Sequence, residues 1–466
     1  MAATGKKTRD MTQGTIWKHL VAFALPLMLG NLFQQLYNTV DSIVVGNFVS
    51  KQALAAVGST TSIINMLVGF FSGVSVGAGV IISQRFGAKD AEGVHRAVHT
   101  TVAMTLIIGV VGTVVGVLLS PLMLTLMKTP ADVYVEARTY LQIYFAGISG
   151  LMLYNMGSGI LRAVGDSRRP LYFLILSSVV NIVLDLVFVL VFHMGVEGVA
   201  YATIIAQFVS AGMILLTLNR TKDVHRFQPS RLRIDPVMLR SIIGVGLPSG
   251  LQQALTSFSN VFVQGYINSF GTNCVAGWSC YHRIDQFILL PMQSISMAST
   301  TFVGQNIGKR DLERSEKGVH TAVRLSLLVT GCLIGLVVLF CAPLIRIFNS
   351  DPGVMEYGTM FIRLISPFYL IVCFNQIYAG ALRGAGDAKA PMVIMLCSFV
   401  LFRQLYLAIG TQFLNTEWFV GLGYPAGWAM CSALQLTYYY KSRWRERCRA
   451  AWAAEDAARQ MKEPSI

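Results

Sequence analysis

Leu161-Arg162-Ala163-Val164-Gly165-Asp166-Ser167-Arg168-Arg169-Pro170 returns 221 residues later as Leu382-Arg383-Gly384-Ala385-Gly386-Asp387-Ala388-Lys389-Ala390-Pro391. Each copy closes one long apolar stretch and opens the next, so the recurrence marks an internal repeat. The same spacing joins Gln84-Arg85-Phe86-Gly87-Ala88-Lys89-Asp90 to Gln305-Asn306-Ile307-Gly308-Lys309-Arg310-Asp311, and His99 to His320. Within the motif, Arg162 and Arg383 are placed to cap the carbonyls that end a helix. Gly165-Asp166 and Gly386-Asp387 suit a tight turn, and Pro170 and Pro391 suit the first turn of the next helix, where a missing N–H costs nothing. The motif is therefore expected to cap a hairpin and not to bind substrate.

What surrounds the repeat is hydrocarbon-like. Apolar residues make up 54% of the 466, charged residues 13%, and mean hydropathy is +0.57. Soluble domains carry roughly 25% charged residues, so this chain could not clothe itself in water. Its apolar runs reach the 18 or so residues that a helix needs to cross about 30 Å of hydrocarbon. The reading is an all-α integral membrane protein of twelve spans, the first near 16–46 and the last near 422–440. Six spans separate the repeat copies, so the two six-helix lobes share one orientation and are expected to be related by a pseudo-twofold axis along the membrane normal. The predicted divisions are a first lobe at 1–219, a linker at 220–238, a second lobe at 239–440 and a basic tail at 441–466. Neither linker nor tail is long enough for an ATP-driven motor domain.

A formal charge of +14 invites a nucleic-acid partner, but the basic residues fall in alternate loops. About 30 of the 37 Lys and Arg lie on one side. The positive-inside rule reads this bias as orientation, with both termini cytoplasmic and the bilayer, not nucleic acid, as partner; the expected setting is the plasma membrane. The polar start, Met1 to Gly14, reads as retained rather than cleaved. Eight cysteines without a Cys-x-x-Cys pair behave as small hydrophobes, although Cys274 and Cys280 flank one outer turn.

Charged groups inside the spans cost about 2.5 to 3.5 kcal/mol each at mid-bilayer and are functional candidates by default. Asp41, Asp185 and Asp285 stand out, with Arg403 the matching cation. Asn181 and Asp185 lie four apart on one helix face, so an amide can donate to the carboxylate and leave room for a cation or proton. Tyr37 and Asn38 lie one turn before Asp41. The competing reading is of polar groups that merely tie helices together. Asp285 in span 8 and Arg403 in span 11 are expected to form a structural ion pair, which lowers the cost of both charges.

The chain resembles the multidrug and toxic compound extrusion (MATE) family of antiporters. The resemblance rests on the paired Leu-Arg-x-x-Gly-Asp loops, the Gln-x-x-Gly turns after spans 2 and 8, Pro26 with Asp41 in span 1, and Asn181-x-x-x-Asp185 in span 5. It covers essentially everything up to about Lys441. It implies an exporter of organic cations, drugs or metabolites that exchanges them for H⁺ or Na⁺. It also implies a first-lobe cation-coupling site at Asp41, Asn181 and Asp185. The expected substrates are cationic amphiphiles, the expected working unit a monomer, and no cofactor or metal is called for beyond the coupling ion. One branch of the family carries acids in spans 7 and 10. Here those spans offer Gln252, Gln253, Asn260, Asn375 and Gln376, so coupling is expected in the first lobe. Tyr37, Asn38, Asn155, Gln253 and Asn260 are candidate lining residues.

Other functions fit less well. A flippase for lipid-linked substrates is the alternative on this fold, but only Arg283, Arg363 and Arg403 are candidates to meet pyrophosphate. Gly304-Gln305-Asn306-Ile307-Gly308-Lys309 lacks the spacing and hydroxyl of a phosphate loop. His95 and His99 share a helix face with no acid or Cys to complete a metal set, and are expected to face solvent. An enzyme would need a convergent nucleophile or metal set, and none is found.

Overall fold

The computed structural model describes residues 9–127 and 129–460, and among these all regular structure is helical. The elements are α1 (Ile16–Val44), α2 (Lys51–Gly87), α3 (Ala91–Leu126), α4 (Ala131–Ala146), α5 (Ile148–Ala163), α6 (Arg168–Leu186), α7 (Val196–Arg220), α8 (Pro236–Asn268) and α9 (Thr272–Gly308). They continue with α10 (Leu312–Leu339), α11 (Cys341–Phe348), α12 (Pro352–Ile365), α13 (Tyr369–Gly384), α14 (Lys389–Met395), α15 (Arg403–Phe413), α16 (Glu417–Gly421), α17 (Gly423–Lys441) and α18 (Trp444–Gln460). Twelve transmembrane helices arise because α4 with α5, α12 with α13, and α14 with α15 each make one interrupted span.

Among the described residues, nine helical stretches are long and apolar enough to cross a membrane by composition alone. Two of the remaining three depart for local reasons. The fourth span is broken at Gly147, whose N–H approaches the carbonyls of Ile143 and Tyr144 at 3.2 Å each. The seventh, α8, carries Gln252, Gln253, Thr256, Ser257, Ser259 and Asn260 in five consecutive half-turns.

The chain divides into two compact units. Among the described residues, one holds Arg9, Leu25–Phe86 and Asp90–Gly250, and the other holds Asp10–Ala24, Gly87–Lys89 and 251–460. The first turns of α8 group with the first unit because small residues let backbones touch there. A Cβ on Gly77 would sit 2.4 Å from the Gly246 Cα, and one on Gly73 would sit 2.4 Å from the Gly250 nitrogen.

Inside each unit the sequence repeat becomes a repeat of bonds. The Ser75 hydroxyl donates to the Asn155 carbonyl at 2.7 Å, and Ser296, its mate in the second unit, donates to the Gln376 carbonyl at 2.6 Å. Beside each lies a glycine with no room for a side chain: a Cβ on Gly159 would be 2.6 Å from the Ser75 Oγ, and one on Gly380 would be 2.7 Å from the Ser296 Oγ. Asp90 caps α3 through the Gly93 N–H at 2.8 Å, and Asp311 caps α10 through the Arg314 N–H at 2.9 Å. Lys89 and Arg310, the residues just before, both adopt positive φ, at 56° and 67°.

The Leu-Arg-x-x-Gly-Asp loops are hairpins, as their chemistry suggests. Gly165 and Gly386 stand at φ 85° and 92°, a conformation that favours glycine. The aspartates do more than turn the chain. Asp166 accepts from the N–H groups of Arg168 and Arg169 at 3.1 Å each, and Asp387 from that of Ala390 at 3.4 Å. Pro170 and Pro391 are buried in the first turns of α6 and α14. The arginines do not act as expected: Arg383 reaches the Gln252 side chain at 3.4 Å, while Arg162 lies beside Tyr154. Each extends away from the loop into its own bundle.

The linker and tail are ordered against the units that carry them. His99 is buried, not solvated. Its Nε2 accepts from the Gln228 N–H at 3.0 Å, which ties the linker to α3. Asp235 accepts from Arg96 at 3.2 Å, and its N–H donates to Thr100 at 3.0 Å. Hydrogen bonds to the Met238 and Val237 N–H groups hold the Asp235 carboxyl below the usual carboxylate range. His225 is wholly buried, and burial pushes its imidazole down to about 4. In the second unit, α18 docks through Arg310 on Asp456 at 2.6 Å, Arg447 on Asp387 at 3.0 Å, and Arg445 on Glu316. All eight cysteines are free thiols, so Cys274 and Cys280 do not bridge.

Candidate functional site

Polar groups gather in the interior of each unit. In the first unit they lie on α6, a helix of apolar residues interrupted by Ser177, Ser178, Asn181 and Asp185. Asn181 is 1% exposed and Asp185 is 0% exposed. Their spacing of four stacks them on one face, as expected. Neither amide atom of Asn181 has a hydrogen-bond partner among the described residues. An orphaned amide of this kind costs about 1–3 kcal/mol.

A turn of π-helix, Val187–Val191, follows two residues after Asp185, and another, Val45–Val49, follows four residues after Asp41. Such turns widen the helix and occur often at functional sites. The side chains of Asn38 and Asp41 lie outside the described residues, as the expected site's other half. Tyr37 is half-buried. Asn155, on α5, turns its amide to the Leu151 carbonyl at 2.9 Å.

The second unit is built differently. On α9, Tyr281, His282 and Asp285 occupy one turn. Asp285 is 5% exposed and accepts a short hydrogen bond at Oδ1 from the Tyr369 hydroxyl of α13. Its Oδ2 lies 3.2 Å from the His282 Nδ1, and the Tyr281 and Tyr369 hydroxyls are 2.8 Å apart. Arg403 follows directly on a π-helical segment, Leu396–Phe402. Its Nη2 donates to the Ser259 Oγ at 2.7 Å and the Asn260 Oδ1 at 2.9 Å, and its guanidinium lies 4.7 Å from the Tyr424 ring centroid.

The expected Asp285–Arg403 ion pair is therefore absent. Each charge is satisfied by nearer neutral groups, with Tyr424 within electrostatic reach of both. Hydrogen bonds and the ring face solvate the guanidinium without the entropy and geometry that a pair would demand. Asn260 is thus an arginine acceptor, and Gln253 is exposed on α8.

Sequence reasoning missed Tyr281, His282, Tyr369 and Tyr424. The spacing of His282 and Asp285 was a usable signal, since residues three apart on a helix are neighbours. Tyr369 carried none, because only packing of α13 on α9 brings it to Asp285.

Comparisons with known proteins bear on the family and the fold. The MatE family model matches residues 26–187 and again 248–407, once per repeat copy. The chain is 33% identical over 439 residues to the "Probable multidrug resistance protein YpnP" of Bacillus subtilis, covering 94% of this chain and 98% of that protein. It is 27% identical over 447 residues to the "Probable multidrug resistance protein NorM" of Thermotoga maritima, covering 93% and 94%. Among solved structures, an outward-facing multidrug resistance MATE family transporter of the MOP superfamily superposes with a TM-score of 0.88 at 24% identity, over 96% of this chain and 99% of that one. At that identity the superposition speaks to fold. With the family model spanning both repeats and a relative above 30% identity over nearly the whole chain, this multi-pass membrane protein is a transporter, not an enzyme, and belongs to the MatE family.

Proposed function

We propose that the protein exports organic cations, drugs or metabolites in exchange for H⁺ or Na⁺, with Asp41, Asn181 and Asp185 as the cation-coupling site of the first lobe. The observation that carries this reading is the fully buried Asn181–Asp185 face of α6, with an amide that has no hydrogen-bond partner among the described residues. A carboxylate buried in a membrane span is costly, and a cation that also engages the Asn181 amide lowers that cost. A proton or sodium ion and a cationic substrate then compete to neutralise one site, and that competition is the basis of exchange. The naming of relatives as multidrug resistance proteins supports the substrate class.

The alternation of basic loops supports a plasma-membrane setting with both termini in the cytoplasm, where the gradient needed for export exists. We take the single chain as the working unit, with no cofactor beyond the ion.

The test is transport in liposomes. Purified protein is reconstituted, and ethidium movement is followed under an imposed proton gradient and then a sodium gradient, beside Asp41→Asn and Asp185→Asn. Gradient-driven movement by the parent protein and a loss of at least about tenfold in both variants is expected, with reconstitution unchanged. Export by either variant at the parent rate would refute first-lobe coupling.

A further inference from the structure

We propose that Asp285, bridged by His282, Tyr369 and Tyr281, is a second proton-binding site, lying inside the second lobe and exchanging its proton through His282. The proposal concerns proton chemistry at a place where the first-lobe reading expects none, and it stands whether or not that reading does.

Three features of the cluster carry it. The first is isolation from a permanent counter-charge: Arg403 spends its hydrogen bonds on Ser259 and Asn260 and does not pair with Asp285. A fixed arginine partner would suit the anion alone, whereas a tyrosine hydroxyl and an imidazole can serve both forms of the carboxyl group. The second is a set of partners that suits both states. The Tyr369 hydroxyl donates to Oδ1. Opposite it, Oδ2 meets a ring nitrogen 3.2 Å away that donates or accepts according to tautomer. The third is a gradient of exposure: the Asp285 side chain is 8% exposed and that of His282 is 34% exposed. The closed end of the pair can therefore load, and the open end can exchange.

The transfer balances on these two residues. With Asp285 protonated at Oδ2, its O–H bond breaks as an N–H bond forms at the His282 Nδ1, leaving carboxylate and imidazolium. The imidazolium then releases a proton from Nε2, the ring nitrogen that Asp285 does not hold. Tyr369 keeps its own proton throughout and steadies the anion. Loading runs the same steps backwards.

The groups that face Asp285 are Tyr281 and His282 from its own helix, Tyr369 from α13, and Tyr424 from α17 at longer range, with Arg403 of α15 beyond Tyr424. The other helices against α9 contribute apolar residues to the surrounding core: Ile334 and Val337 from α10, Ile345 from α11, and Phe361 and Ile365 from α12. The proton's alternatives are thus few.

Infrared difference spectroscopy of the purified full-length protein in lipid tests this by recording the carboxyl band between about pH 4 and pH 9. A titrating carboxyl component should be present in the parent protein and in Asp41→Asn and Asp185→Asn, and lost in Asp285→Asn. Tyr369→Phe and His282→Gln leave the carboxyl in place. Tyr369→Phe removes a donor to the anion, which should raise the midpoint by about one pH unit. His282→Gln should slow exchange of the band with deuterium at least about tenfold. The two latter variants also keep the test decisive if Asp285→Asn fails to fold. An Asp285→Asn spectrum identical to the parent, or a midpoint and exchange rate unmoved by both other changes, would overturn the assignment. Loss of the band in Asp41→Asn alone would instead support the first-lobe site and sink this one.

Discussion

The two lobes share a frame and differ in what they enclose. Ser75 with Gly159 and Ser296 with Gly380 make the same helix crossing 221 residues apart, and the capping aspartates and positive-φ residues recur in step. Inside that frame, the first lobe buries an amide and a carboxylate on one apolar helix, next to a π-turn. The second buries a carboxylate among tyrosines and a histidine, and separately an arginine among hydroxyl, amide and ring. Repetition has thus preserved the contacts where backbones meet, because a crossing without room for a Cβ tolerates almost no substitution. Interior side chains that do not set backbone distance were free to diverge, and chemistry followed that freedom.

The largest effect should come from attacking the shared frame. Gly159→Leu and Gly380→Leu each push a side chain into a serine hydroxyl and its carbonyl, overpacking that exceeds the 1–3 kcal/mol usual for added methylenes. Both should abolish recovery of monodisperse protein, and to the same degree. If one is tolerated while the other is not, the frames are less alike than their bonds suggest.

A smaller effect sharpens the contrast between interiors. Since Asp285 and Arg403 are not paired, the charge-swapped double change Asp285→Arg with Arg403→Asp should recover nothing relative to the worse single change. Removing either group leaves its hydrogen-bond partners unsatisfied and is expected to cost about 1–3 kcal/mol, read as a drop in thermal unfolding temperature. Recovery by the double variant would reinstate the ion pair and erase the difference between the lobes.

The smallest effect concerns the linker, which docks on the first lobe through His99 and buries His225. His225 is pushed down to about 4 from its ordinary value by burial, so the undocked linker binds more protons than the docked one as pH falls below about 6.5. Docking is fully stable above that pH and weakens progressively down to about 4. At pH 5.5 the loss should be roughly 1 kcal/mol, seen as faster proteolysis at the linker. The parent's acid-induced increase should vanish in His225→Phe. An equal increase in both proteins would assign the effect elsewhere.

How much of this was legible beforehand differs by element. The spans were readable because bilayer thickness sets a length that composition must match. The fourth span, one of three interrupted ones, breaks at a glycine that hydropathy does not register. The hairpin loops were readable because Gly165 and Gly386 have few other uses before an aspartate and a proline. The roles given to Arg162 and Arg383 were not, since a long side chain can turn either way at a helix end. Asn181 and Asp185 were legible as a pair because one helix carries both.

By itself, then, the sequence determined whatever depends on period, length and neighbours along one helix: twelve spans, two repeats, the capped hairpins, and the paired polar residues of α6. Tertiary structure alone decided which charges met. Asp285 and Arg403 looked like partners because both are expensive in a membrane, yet Tyr369, 84 residues away along the chain, satisfied one, and Ser259, 144 away, satisfied the other. The cost of burying a charge is a property of the residue. The group that offsets that cost is set by helix packing, which carries no local signature.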